Sequence, residues 1–193
     1  RKKAKDELET EKLNNPSNWT VLRSAGTVID WMKPVSADAT KDGKSVKAIQ
    51  LTGNAAGSYI SSFSTSENHI YKLSFDYYSE TLGSLGEYTT VITSCGVAPL
   101  KDGSVVYRTH KTTDPAGIMT VHPAFSWEGS YDNVNRVNND SVNLQIEKSD
   151  DNWYSISFEF NSGDNEKLEF YINPIDLTNN ANFKVANFGL EDK

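Results

Sequence analysis

In the stretch YKLSFDYYSE, Tyr71, Leu73, Phe75 and Tyr77 take every second position, with Lys72, Ser74 and Asp76 between them. Successive side chains of a β-strand point to opposite faces, so this alternation builds one apolar and one polar surface. The same period returns in Val142, Leu144 and Ile146, and in Tyr154, Ile156, Phe158 and Phe160. Turn-forming clusters separate the runs: KDGKS, TGNAAGS, KDGS, NSGDNE and LTNNAN. Strands are expected at 20–22, 28–31, 46–51, 59–63, 71–78, 88–93, 105–109, 142–147, 153–160, 168–173 and 183–190. Many short strands at such intervals, with no long helical pattern after Trp19, predict an all-β, antiparallel β-sandwich of the jelly-roll kind.

The first residues break this rule. RKKAKDELETEKL, residues 1–13, is rich in Lys and Glu, and Lys3/Glu7 and Lys5/Glu9 are opposite charges one helical turn apart. Ala4 and Leu8 make only a short apolar seam, too little for a helix of this length to stand alone. NNPSN then stops the pattern. Residues 1–18 are therefore read as a short N-terminal helical arm, either frayed or the end of a coiled-coil stalk, and 19–193 as the sandwich. The chain opens at Arg1 without Met, which leads to the expectation of a larger parent protein.

NSGDNE, between Phe160 and Leu168, reads as a hairpin turn. Pairing Phe160 near Leu168 sets Ser157 opposite Tyr171, and gathers Trp153 and Tyr171 on one outward surface. Glu159 and Glu169 then face each other as the nearest approach to a catalytic carboxylate pair; solvated edge charges are the plainer reading.

Several classes are disfavoured outright. A net charge of −7 opposes a general nucleic-acid surface, which needs clustered Lys and Arg. No apolar run is long enough for a membrane-spanning helix. The single cysteine, Cys95, forbids an intrachain disulfide, and followed by Gly it reads as a buried small hydrophobe rather than a nucleophile. The three histidines, His69, His110 and His122, lack zinc-ligand spacing, and neither a nucleophile elbow nor a phosphate-cradling loop is present. The chain is read as a non-enzyme.

Residues 95–141 are too long for a minimal sandwich connection, and such elaborated segments are more often functional than accidental. Within it, HPAFSWEGSYDNVNR is the densest mixture of flat rings and hydrogen-bonding groups. A sugar ring offers an apolar C–H face and a rim of hydroxyls, met by stacking and by directional hydrogen bonds. Candidate ligand-binding residues are Trp127, Tyr131, Asp132, Asn133, Arg108, Tyr107, His122 and Arg136. Trp127 has the alternative of capping the sandwich edge. Trp31 and Trp153 are further aromatics; Trp153 sits in the polar register of its strand, and a structural lid is the favoured reading.

DNWYSISFEFNSGDNEKLEFYIN, with NFKVANFGLEDK after it, resembles the end of carbohydrate-binding-module jelly rolls of the family 4, 9, 16 and 22 type. SVKAIQLTG, SYISSF and YKLSFDYYSE match the earlier strands of that pattern, so the resemblance spans roughly Trp19 to Asp192. Modules of this type also occur in tail and baseplate proteins of phages that infect Gram-positive bacteria, and DELETEKLNNPSNW is similar to their helical junctions, as in accessory baseplate proteins of lactococcal siphophages. The resemblance implies a non-catalytic carbohydrate-binding module on a virion tail or baseplate, or on an extracellular bacterial surface. Its partners would be a Gram-positive cell-surface polysaccharide and, through the arm, other tail subunits. No cofactor is implied beyond the structural calcium that the family often carries; here VANF, with Ala186 and Asn187, departs from the acidic residue that would hold it. The alternative is a structural or protein-interaction jelly roll with no sugar site.

Overall fold

The computed structural model describes residues 2–22, 34–52, 58–79, 91–98, 100–101, 104–105, 112–113, 119–122, 125–127, 134–136, 143, 145–149, 151–163, 165–176 and 182–193. A helix α1 (Lys2–Asn14) and a 3-10 turn (Pro16–Asn18) precede β1 (Trp19–Leu22), β2 (Val35–Lys41), β3 (Lys44–Thr52), β4 (Ser58–Ser64), β5 (Ile70–Ser79) and β6 (Val91–Ala98). Short strands follow: β7 (Leu100–Lys101), β8 (Ser104–Val105), β9 (Thr112–Thr113), β10 (Met119–His122), β11 (Phe125–Trp127) and β12 (Val134–Arg136). The chain closes with β13 (Gln145–Lys148), β14 (Trp153–Asn161), β15 (Lys167–Asp176) and β16 (Asn182–Asp192).

Two six-stranded sheets form the sandwich, in the orders β1-β4-β15-β6-β10-β9 and β13-β14-β5-β16-β3-β2. Among the described residues pairing is antiparallel except between β6 and β10, which run parallel with Met119 opposite Thr93. The alternation works as the sequence predicts. In β5, Tyr71, Leu73, Phe75 and Tyr77 are buried while Lys72, Ser74, Asp76 and Tyr78 are half-buried on the other face. Across the core, Phe170 of the first sheet meets Phe75 and Phe188 of the second edge-on, with ring centroids 5.2 and 5.3 Å apart. Cys95 lies fully buried in this core, where desolvation pushes its thiol far above the ordinary range and removes it as a nucleophile.

The expected hairpin around NSGDNE is not formed. β14 pairs with β5 and β13 in the second sheet, whereas β15 pairs with β4 and β6 in the first, so the chain crosses from one sheet to the other between Asn161 and Lys167. Phe160 and Leu168 point inward in a hairpin and in an arch alike, so alternation does not separate the two. The arch is tied instead to its neighbour at 65–69. Asn68 N donates to Gly163 O, Thr65 N to Glu166 O, and Ser162 N to His69 O. Trp153 and Tyr171 consequently lie on opposite outer faces, as do Glu159 and Glu169, which removes the carboxylate pair.

The helix docks through different residues than its apolar seam suggests. Leu8 is 59% exposed, while Leu13 and Glu9 are buried. Glu9 pairs with Lys12 at 3.1 Å and accepts from Ser64 N, instead of pairing with Lys5. Past Ala186, β16 has no further register with β3. The helix covers that vacant edge: Asn14, Thr10 and Asp6 accept from the backbone N–H groups of Phe188, Leu190 and Asp192 at 2.8, 3.2 and 3.1 Å. An uncovered row of strand N–H groups invites pairing with other chains, and three polar side chains at helical spacing satisfy it here. No described helix is long and apolar enough to cross a membrane.

Strand β2, VSADATK, escapes sequence reading because it lacks the aromatic and β-branched run of its neighbours. Its signal is the following Asp42-Gly43, both at positive φ, which turn β2 into β3. The expected strand at 28–31 lies outside the described residues, as does Trp31.

On the outer face of the first sheet, Glu169 is buried and accepts from Ser62 Oγ at 2.5 Å. Desolvation raises its carboxyl above the ordinary glutamate range, against the opposing pull of Ser62 and Lys167. A raised folded value means that the folded state holds this proton more tightly. Stability from this group is therefore full below the ordinary glutamate pKa and is lost as pH climbs through the raised one. Glu169→Gln keeps the shape and acceptor without the charge. It is expected to unfold at higher urea than wild type at about pH 8, with the advantage shrinking toward about pH 4. Equal midpoints at both pH values would show that the carboxylate is adequately solvated.

Candidate functional site

The outer face of the second sheet is built from rungs. Register places Gln145, Ser157, Ser74 and Gly189 across one rung, and Glu147, Ser155, Asp76, Ala186 and Ala48 across the next. A third rung carries Trp153, Tyr78, Lys184 and Gln50. Short side chains thus occupy the middle of the sheet, and longer ones stand around them. The result is an open groove of about 260 Å³, lined among others by Lys72, Ser74, Asp76, Gln145, Glu147 and Asn187. At Gly189 a Cβ would come within 2.9 Å of Ser74 Oγ, so glycine keeps this part of the floor low.

Asp76 organises the groove. Its two oxygens accept from Ser155 Oγ at 3.0 Å and Asn187 Nδ2 at 2.8 Å, and Lys41 Nζ lies 3.4 Å away. Both oxygens thereby tie β14, the β16 bulge and β2 to β5. Asn187 reaches it because a bulge in β16 shifts register between Ala186 and Gly189, with Asn187 at φ +55°.

One end of the face is aromatic. Trp153 is 1% exposed and donates its indole N–H to Thr40 O at 2.9 Å. It packs with Ala48 and Ala186, and Tyr78 leans on it at 5.3 Å. Lys184 Nζ sits 4.6 Å from the Tyr78 ring centroid. Tyr78, Trp153, Lys184, Thr40 and Asp151 border a second depression of about 470 Å³. The favoured reading of Trp153 as a lid agrees with this burial. The lid lies on the outside of the sheet, and Tyr78 is the half-buried ring beside it.

The residues singled out by sequence are placed only in part. Tyr107, Arg108, Tyr131, Asp132 and Asn133 lie outside the described residues. His122 ends β10 opposite Gly96, and Trp127 and Arg136 belong to the β11–β12 ribbon, opposite Val134 and Phe125. Only the backbone of these three is described. Among the described residues, no three His, Cys, Asp or Glu side chains converge as a metal site would require.

No family profile and no curated protein matches the chain. Solved structures do: the CBM4 carbohydrate-binding module is 10% identical, with 94% of each chain covered and a TM-score of 0.43. The CBM22-1 xylan-binding domain from Paenibacillus barcinonensis is 10% identical over 95% of this chain and 91% of that one, with a TM-score of 0.45. A candidate sugar binding protein from Bacteroides thetaiotaomicron is 10% identical over 96% and 92%, with a TM-score of 0.43. At 10% identity and TM-scores below 0.5, these likenesses assign neither a site nor a ligand to this chain.

Proposed function

We propose that the chain is a non-catalytic carbohydrate-binding module that lays a polysaccharide along the groove of the second sheet. The observation that carries this reading is the mixture within the groove. A floor of serine hydroxyls lies below donors and acceptors of both kinds, and Tyr78 borders a second depression on the same face. Sugar hydroxyls need both donors and acceptors, and Lys72, Gln145, Glu147 and Asn187 supply them around the rim. Tyr78 offers a flat surface to a C–H face. Binding breaks no bond and is a sum of modest contacts. A protein-docking face would instead present a wide apolar patch. Among the described residues the exposed large apolar side chains are Leu8 and Val35, on different elements.

The finer reading places the module on a virion tail or baseplate, or on an extracellular bacterial surface. Its target there is the polysaccharide of a Gram-positive cell, with neighbouring tail subunits meeting the arm. That part rests on the sequence resemblance.

The test is electrophoresis through gels holding soluble xylan, mixed-linkage β-glucan or purified Gram-positive cell-wall polysaccharide. Wild type is expected to be retarded by at least one, and chelation is expected to leave the retardation unchanged, since the proposed contacts are ring stacking and hydrogen bonds. Ser157→Tyr fills the floor and is expected to abolish retardation without moving the melting temperature. Loss of retardation in Trp127→Ala or Tyr131→Ala, with Ser157→Tyr still retarded, would move the site to residues 95–141. A well-folded wild type retarded by none of the three overturns the reading in favour of an assembly module.

A further inference from the structure

We propose that Asn14 of the N-terminal helix is a positioning residue for the groove, acting through the β16 bulge. Its consequence for affinity rests on the carbohydrate-binding reading; the mechanical link does not.

A left-handed backbone at a non-glycine residue is uncommon and must be held by its surroundings. Asn187 has that backbone, at φ +55°. On its outer side it is held by Asp76, through Nδ2 at 2.8 Å. On its chain side the grip comes from Asn14, which binds both polar groups of the next residue. Phe188 N donates to Asn14 Oδ1 at 2.8 Å, and Asn14 Nδ2 donates to Phe188 O at 3.0 Å. Phe188 itself points inward, stacked on Phe75 at 5.2 Å. The two bonds hold the peptide planes on either side of the Phe188 Cα, the first of which joins Asn187 to Phe188, and so limit the direction in which the Asn187 side chain leaves the sheet. Asn187 lines the groove from that anchor, while Asp76 holds Ser155 in the floor. The helix thus shapes a surface that it does not touch.

Side-chain amide resonances of Asn187 in ¹⁵N-labelled protein report the link directly. In Asn14→Ala they are expected to move toward those of a solvated asparagine. The Leu190 and Asp192 amides, bound to Thr10 and Asp6, should stay protected from exchange. Affinity for soluble xylan or mixed-linkage β-glucan, whichever retards the wild type, is expected to fall about fivefold. Asn14→Asp keeps the acceptor for Phe188 N and loses the donor, so it is expected to fall between the two, and it carries the test if Asn14→Ala does not fold. Unmoved Asn187 resonances overturn the link. Moved resonances with unchanged affinity overturn the positioning role. If wild type binds no polysaccharide, the carbohydrate-binding reading falls, and the resonances alone decide whether Asn14 sets the bulge.

Discussion

Trp19→Ala is expected to lower the unfolding free energy by about 3–5 kcal/mol, the range for removing a fully buried large aromatic. Trp19 is 1% exposed and sits where three elements meet. It lies on β1 of the first sheet and touches Phe170 of that sheet at 5.9 Å and Phe188 of the second at 5.5 Å. Its indole N–H donates to Leu13 O at 2.7 Å, which ties the last turn of α1 to the sandwich. Deleting the ring opens a cavity bounded by other rings, which do not collapse into it, and it frees the helix terminus. Trp19→Phe keeps most of the packing and loses the donor, so about 1 kcal/mol is expected. Urea titration of the three proteins measures both numbers, and amide exchange in residues 5–14 measures the helix. A Trp19→Ala midpoint close to wild type would mean that the helix and the two sheets are not coupled through this side chain.

Where the sequence is legible, it is legible through period two. Tyr71 to Tyr77 and Tyr154 to Phe160 announce one buried face each, because both strands run through the middle of a half-covered sheet. The partner of a strand is another matter. Phe160 and Leu168 carry the same inward signal whether the chain turns back within a sheet or arches over to the other. The choice is made by Thr65, Ser162 and their backbone partners, nearly a hundred residues apart in sequence. The helix is misread for a related reason. Its docking residues Asp6, Thr10 and Asn14 share one face at four-residue spacing, but they are polar, and only the vacant edge of β16 explains them. The groove is the least legible feature. Ser74, Ser155 and Ser157 look like the ordinary solvated face of two strands until pairing sets them side by side. One signal marks the same face: a tryptophan in the polar register of β14, where a freely solvated face has no use for it.

That tryptophan supplies the second large effect. Trp153→Ala is expected to cost about 3–5 kcal/mol, although the residue lies on the outside of the sheet, because burial and not the inner or outer position sets the loss. Its surface is covered by Ala48, Ala186 and Tyr78, with Ala39 and Val46 packed around them, and its N–H is used by Thr40 O. A ligand-stacking ring must be reachable, and a residue 1% exposed is not. Trp153→Phe should therefore cost about 1 kcal/mol for the lost donor and leave polysaccharide affinity unchanged. Tyr78→Ala should do the reverse: its half-buried ring borders the depression, so affinity is expected to fall about tenfold while stability changes less than in Trp153→Ala. The two rings touch, so their effects on stability will not add, and the double variant measures how far Trp153 supports the pose of Tyr78. An affinity loss in Trp153→Phe as large as in Tyr78→Ala would mean that the lid opens to the ligand, and the division between supporting ring and contacting ring would not stand.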